Sequence, residues 1–460
     1  MAASDFYAER DNRTIACVGG TKFERARVVL SIDSAEAESL SGQVAFLLAA
    51  NLLARWCRHI RFQAPITKLH PLAHSALAAT HDYLGECAAS IACLADNHGD
   101  FQTGSSFTGP CLRLHVGRDA APGGYRIVGD GWLALGGDGV SASPAGHHST
   151  VIGAVLAACV GCALTFRAAL GDLTAYRPIR LSLWNLRGGA AAKEGPPVGY
   201  GALGRACLIG CGAVGSAIAY VTPLVGLRGV FSLVDSESVE VSNLNRSPLF
   251  VVKDVGRRKV DVVAEYLERN ESKAQPIAEW FDDAVREHQL FMSRPDLVIP
   301  TANERNVRHS IQHQVPPLQV YGTTGRNWDA FLGRHIPLQE DCLACRFPRG
   351  DLSEPPLACS TGSVQTENRL GETSPDAALP FLSTAAAALA VAELLKVTNA
   401  EDYPCNPNLA CLDFRGDLAG FAFDQRSAAP SCICDSQRPV WLSLNQRSRF
   451  ASCSLRTLPQ

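Results

Sequence analysis

The run Cys207-Leu-Ile-Gly-Cys-Gly-Ala-Val-Gly215 constrains this chain more than any other stretch. An apolar strand must end where Gly210-x-Gly212-x-x-Gly215 begins, because glycine lets the backbone turn sharply and approach a ligand closely. A second apolar run, Val230-Phe-Ser-Leu-Val234, follows and ends in Asp235. Strand, glycine turn, helix, strand and acid is the order of a nucleotide-binding βαβ unit. The helix predicted to start near Ala213 aims its free N–H groups at a phosphate. Asp235 can then accept bonds from ribose hydroxyls.

With 460 residues the chain exceeds one ordinary domain, so two domains or one elaborated domain are expected. Hydrophobic residues at 47% against 19% charged describe a well-buried fold, and a net charge of −3 gives no reason to propose a nucleic-acid partner. Seventeen cysteines without disulfide-scaffold spacing suggest reduced thiols, some of them metal-bound. The N-terminal stretch is charged and lacks an apolar centre, so no signal peptide is expected and the predicted location is cytoplasmic. Ser149 to Phe166 is uncharged and long enough to be mistaken for a membrane span. Its Ala, Gly and Cys content, without basic or aromatic flanks, predicts a helix buried on a sheet instead.

A Gly/Pro/Ala stretch from Arg187 to Gly201 reads as a linker, dividing the chain into residues 1–190 and 191–460. The same plan stands on both sides. The first half offers a strand at Arg27–Ile32, a helix around Val44–Trp56, a strand at His59–Phe62, an apolar helix around 149–168 and a strand at Ile179–Trp184. The second half closes alike, with an Ala-rich helix at Ser383–Lys396 and a strand at Leu409–Phe414. This predicts a diverged duplication. After its first strand, however, the first half has Ser34-Ala-Glu-Ala-Glu38 instead of a glycine turn. Acidic residues there would repel phosphate, so this copy should bind no nucleotide.

The residues after Asp235 separate a triphosphate from a redox dinucleotide. Glu237 comes first, then Asn243-Leu-Asn-Arg246, then Gly256-Arg-Arg-Lys259. A triphosphate needs its charge gathered, by bidentate bonding from Arg246 and by Lys259 as a point charge. A plain NAD(P) dehydrogenase has no use for either. In these motifs, with a Cys342-x-x-Cys345 and the late Ala-rich helix, residues 205–415 resemble the E1-like activating enzymes. That superfamily holds the ubiquitin activators and the ThiF–MoeB-type sulfur-carrier adenylyltransferases. The resemblance is closest to the E1 components of bacterial ubiquitination-like operons, some linked to anti-phage defence.

The resemblance implies two Rossmann-like adenylation domains in tandem, a degenerate N-terminal copy and an active C-terminal copy, paired within one chain. It implies ATP and Mg²⁺ as cofactors, and adenylation of the C-terminal glycine of a ubiquitin-like protein. Gly210, Gly212, Gly215 and Asp235 would bind the nucleotide, with Asn243, Arg246 and Lys259 on the phosphates. The family's Mg-binding Asp falls on Asn303 here, with Glu304 beside it, so Glu304 or Glu237 would have to supply the missing charge. Cys342 and Cys345 would hold structural Zn²⁺ with Cys432 and Cys434, Cys405 and Cys411 being rival ligands. Cys359, in the crossover loop 347–380, would take the activated carboxyl as a thioester and pass it to an E2-like protein. The partner copy in this family lends an arginine to ATP; Arg10 and Arg13 stand nearest by position. Two other readings are a sulfur-carrier adenylyltransferase, and a non-catalytic module that docks a ubiquitin-like partner, favoured by Asn303.

Overall fold

The computed structural model describes residues 1–76, 81–104, 106–119, 124–140, 150–172, 177–347, 366–367, 373–374, 378–399, 407–428, 432–445 and 448–450. The first half contributes β1 (Arg27–Ile32), β2 (His59–Gln63), β3 (Asp100–Thr103), β4 (Leu112–Val116), β5 (Tyr125–Asp130), β6 (Leu133–Gly136), β7 (Ile179–Ser182) and β8 (Arg187–Gly188). The second contributes β9 (Gly201–Ile209), β10 (Leu227–Val234), β11 (Lys273–Ile277), β12 (Leu297–Pro300), β13 (Gln319–Thr324) and β14 (Asp329–His335). After a small ribbon of β15 (Thr366–Glu367) and β16 (Thr373–Ser374) it closes with β17 (Leu409–Asp413) and β18 (Ala422–Asp424).

Each half builds one eight-stranded mixed sheet, in spatial order β3-β2-β1-β4-β5-β6-β7-β8 and β11-β10-β9-β12-β13-β14-β17-β18. In both, the strands up to the fifth position pair in parallel. The remaining pairs are antiparallel. The likeness extends to single bonds. Leu183 donates its N–H to the Trp132 carbonyl at 3.0 Å, and Phe414 donates to the Trp328 carbonyl at 3.1 Å, at the same place in each sheet. Parallel strands covered on both faces should be apolar throughout, and Cys207, Leu208 and Ile209 of β9 are all buried.

Helices fill the space between the sheets. Leu40–Ala54 and Ile152–Ala169 pack on the first sheet, Pro380–Thr398 on the second, and Ile152–Ala169 lies against Pro380–Thr398. Phe166 and Phe381 meet there with ring centroids 5.9 Å apart. One buried apolar cluster runs through both halves. The two longest of these helices are long and apolar enough to cross a membrane, yet 94% of each apolar window is buried inside the molecule. The expectation of a core helix in the stretch after Ser149 is therefore met, at Ile152–Ala169.

Local chemistry explains where boundaries differ from expectation. The helix predicted over Val44–Trp56 starts at Leu40, because Ser39 caps it by accepting from Gly42 N–H at 2.9 Å. The helix predicted from Ser383 starts at Pro380, whose ring suits the first turn. Arg187–Gly201 is not free. It begins as β8, accepts from Ser182 Oγ at Lys193 O (2.5 Å), and meets the Trp132 backbone N–H with Glu194 at 3.1 Å.

Candidate nucleotide and metal sites

The glycine turn joins β9 to the helix Ala213–Leu224 at the carboxyl edge of the second sheet. Gly210 has φ +92° and lies so close to the strand beyond that a Cβ would stand 2.8 Å from Ala302 N. At Gly215 a Cβ would stand 1.9 Å from the Gly210 carbonyl oxygen. Around Gly212 there is open space, where an incoming group could approach the backbone. The helix N-terminus behind it has no side-chain cap, so its N–H groups keep their affinity for an anion.

Asp235 anchors the turn. Its Oδ2 accepts from Cys211 N–H at 2.7 Å and its Oδ1 from Glu237 N–H at 2.8 Å. Burial lifts its carboxyl above the usual range, with the Lys259 charge pulling the other way. Lys259 opens the helix Lys259–Arg269, is nearly fully buried, and forms an ion pair with Glu237. Glu304 belongs to the same group. Burial, then the charges of Glu237 and Asp235, raise its pKa, while Arg308 opposes them. Asn303, which the resemblance placed on the metal, is exposed, so the carboxylate facing the acidic pair is Glu304.

Residues 241–250 are all buried although their backbone is largely irregular. Asn243 Oδ1 accepts from Glu240 N–H at 3.0 Å, and Arg246 donates to Asn245 Oδ1 at 3.0 Å and to the Ser242 carbonyl. Ser383 Oγ, from the first turn of Pro380–Thr398, donates to the Arg246 carbonyl. The first half grips this segment from two directions. Thr14 Oγ1, on the helix Ala3–Val18, accepts from Asn245 Nδ2 at 3.2 Å. Arg55 reaches the carbonyls of Leu244, Pro248 and Phe250 at 2.6, 2.8 and 3.1 Å.

Arg10 is not available to lend to a ligand. It is fully buried, with Nε 2.7 Å from Asp11 and Nη1 2.7 Å from Asp96. Arg13 is half-buried one residue before Thr14. At the corresponding turn of the first half, an acidic side chain follows the strand. Asp33 Oδ1 caps the helix Ser34–Glu38 by accepting from Glu36 N–H at 2.7 Å, and its Oδ2 accepts from Arg118 N–H at 2.8 Å.

A second cluster lies under the far end of β14. The sulfurs of Cys342, Cys432 and Cys434 lie within 4.8 Å of one another, all buried. Cys342 Sγ is 3.5 Å from Cys432 Sγ and 3.7 Å from Cys345 Sγ. Hydrogen bonds from Cys342 and then Cys434 pull the Cys432 thiol down. Gln312 Nε2 donates to Cys434 Sγ at 2.8 Å, and His335 Nε2 is 3.6 Å from the same sulfur. His335 Nδ1 bonds the Glu340 and Asp341 carbonyls, both at 3.1 Å, which leaves Nε2 as the bare nitrogen. Cys411 is elsewhere, 3.8 Å from Asp329; Cys359 and Cys405 lie outside the described residues.

The cysteine-bearing loop is tied to the core by buried charges. Arg334 bonds Glu340 at 3.1 Å and Glu393 at 2.6 Å, and Lys396 bonds Glu393 at 3.1 Å, with all four side chains nearly inaccessible. Two acids against two bases leave this network neutral. No motif or spacing pointed to it, nor to Arg55, Thr14 or Gln312: each is a single polar residue outside any recognisable pattern.

The uncharacterized protein y4jF of Sinorhizobium fredii is 29% identical over 344 residues, covering 70% of this chain and 61% of that protein. Ubiquitin-like modifier-activating enzyme 7 of Homo sapiens is 34% identical over 130 residues, 26% of this chain and 13% of that enzyme. Adenylyltransferase and sulfurtransferase uba4 of Aspergillus terreus is 22% identical over 249 residues, 52% of this chain and 49% of that protein. The chain thus spans less than two thirds of the length of each of these relatives. Residues 203–432, half of the chain, with the glycine turn and every cysteine of the cluster but Cys434, match the ThiF family, and the chain belongs to that family.

Proposed function

We propose that this chain activates a carboxylate: it adenylates the C-terminal glycine of a ubiquitin-like protein with Mg-ATP and releases pyrophosphate. The observation that carries this reading is a buried cation, Lys259, paired with Glu237 beside the glycine turn and the acid Asp235. In the reaction an oxygen of the glycine carboxylate attacks the α-phosphorus. The new O–P bond forms as the bond to the bridging oxygen breaks, and the electron pair leaves with pyrophosphate. Arg246 and Lys259 offset the growing charge on the leaving group. Glu237 holds the Lys259 ammonium until a phosphate oxygen takes its place.

The acidic group fits a divalent cation. Three carboxylates, Asp235, Glu237 and Glu304, influence one another against two cations, Lys259 and Arg308. Glu304 and Glu237 would hold Mg²⁺, in place of the aspartate for which this chain has Asn303. A bound Mg²⁺ there would stabilise charge on the leaving pyrophosphate.

The cysteine cluster fits zinc. Tetrahedral zinc with Zn–S near 2.3 Å places sulfurs about 3.8 Å apart, close to the 3.5 and 3.7 Å separations of Cys342 from Cys432 and Cys345. Cys342, Cys345, Cys432 and Cys434 would together clamp the C-terminal segment onto the adenylation domain. The matching strand orders support two adenylation domains, 1–190 and 191–460, of which the first is inactive. Cys359 would then attack the acyl-adenylate, releasing AMP and holding the carrier as a thioester for an E2-like protein. That step and the link to bacterial ubiquitination-like systems rest on the resemblance, and a cytoplasmic location rests on the many cysteines without disulfide-scaffold spacing. The uba4 relative supports a second reading, in which the adenylate is converted to a thiocarboxylate.

The test is ATP–pyrophosphate exchange with candidate carriers ending in glycine. Exchange that requires the carrier is expected, with a reductant-sensitive conjugate that Cys359→Ser abolishes. Absence of AMP formation with every carrier defeats the proposal; exchange without a conjugate favours the thiocarboxylate reading.

A further inference from the structure

We infer that Arg55 is the positioning residue through which the inactive first half holds the Asn243–Phe250 segment in its binding shape. This rests on the reading of that segment as phosphate-binding. Arg55 follows the helix Leu40–Ala54 and is 1% exposed. Its guanidinium makes four hydrogen bonds, none of them to an acid. Nε donates to Asn51 Oδ1 at 2.8 Å, Nη1 to Leu244 O at 2.6 Å, and Nη2 to Pro248 O at 2.8 Å and Phe250 O at 3.1 Å. Asn51 Nδ2 adds a bond to Pro248 O at 3.0 Å.

The need for such a residue follows from the backbone it meets. Residues 241–250 are all buried, and buried carbonyls in irregular backbone need donors that no helix or sheet ladder supplies. The guanidinium presents several N–H groups in one rigid plane and can serve three carbonyls at once. A buried cation facing only carbonyls is costly to keep, and an apolar side chain would fill the space more cheaply. What the cation adds is a fixed path for the chain. Asn243 and Arg246 sit on that path, with Leu244 O held by Arg55 between them. Lys could not replace it, because one ammonium cannot reach three spread carbonyls in that geometry.

The experiment uses the full chain with Arg55→Met, which keeps an unbranched stem without the donors. Amide hydrogen exchange and ATP affinity are measured well below the melting temperature. Expected are faster exchange confined to residues 242–252 and an ATP dissociation constant raised about tenfold or more. Arg55→Lys should recover little of either. Unchanged exchange across 242–252 in the folded variant overturns the inference, as does unchanged ATP affinity. Should Arg55→Met not fold, Asn51→Leu, which removes the Nε anchor and one bond to Pro248, is read by the same two measurements. If the wild-type chain itself binds no ATP, the functional reading fails, and the exchange measurement still decides whether Arg55 holds the segment.

Discussion

Arg246 and Lys259 are both buried, and each is held by groups that a phosphate could replace or share. Arg246 leans on Ser242 and Asn245, Lys259 on Glu237. Removing either leaves a partner without its cation: truncation at Lys259 strands Glu237 beside Asp235 and Glu304, three carboxylates with reduced compensation. Lys259→Ala and Arg246→Ala should each slow ATP–pyrophosphate exchange by about 10²–10³-fold while circular dichroism stays that of the wild type. Exchange at the wild-type rate in either variant removes that residue from the site. Lys259, the three glycines and Asp235 meet at one turn, as their types and spacing suggested from what a phosphate requires. Glu304 was half legible: its place in the order was plain, but that it faces Asp235 and Glu237 while Asn303 points outward depends on how the chain leaves β12. Arg55 was hidden. At the end of an apolar helix it reads as an ordinary polar terminus, and only the fold shows that three carbonyls of a distant segment converge on it.

At the scale of elements, the cysteine-bearing loop after β14 and the short helix Ile433–Ser436 are held together by sulfur, with little apolar contact: their local cluster is Cys342, Cys432 and Cys434, with Ala344, Cys345 and Ile433 packed against it. A segment with so small a core depends on its cross-link. Cys342→Ser should lose about one zinc per chain by atomic absorption and lower the melting temperature by more than about 5 °C; equal zinc content in variant and wild type would show that the sulfurs hold no metal. Spacing pointed to Cys342 and Cys345 and the resemblance to Cys432 and Cys434, but neither to Gln312 and His335 beside Cys434, which arrive from other elements. A repeat was also available to be read. Trp132-Leu-Ala-Leu-Gly136 and Trp328-Asp-Ala-Phe-Leu-Gly333 open β6 and β14, and each tryptophan carbonyl accepts the same bond from the next strand. The interval between the halves hid it, since apolar periodicity records strands and helices but not which turns correspond.

On the scale of the whole molecule, both sheets lean on one layer of helices, with Phe166, Trp328 and Phe381 in mutual contact across it. Such a layer predicts one cooperative unfolding transition, seen alike by tryptophan fluorescence and far-ultraviolet circular dichroism. Residues 191–460 made alone should expose the apolar face of Pro380–Thr398 and aggregate unless 1–190 is supplied. Two separated transitions, or a soluble and monomeric second half, would contradict this. The fold class and the two-part plan were legible from strand and helix order; the depth of their union was not, because it depends on side chains from both halves interlocking. That interlocking has a further consequence. Proteins that clasp a nucleotide between two lobes swing them about a hinge, and here no swing is available without tearing the dry seam open. Admission of a ligand must therefore be a small-scale event, an exchange of partners at Glu237 and its neighbours, and the molecule should look nearly the same by small-angle scattering whether loaded or empty.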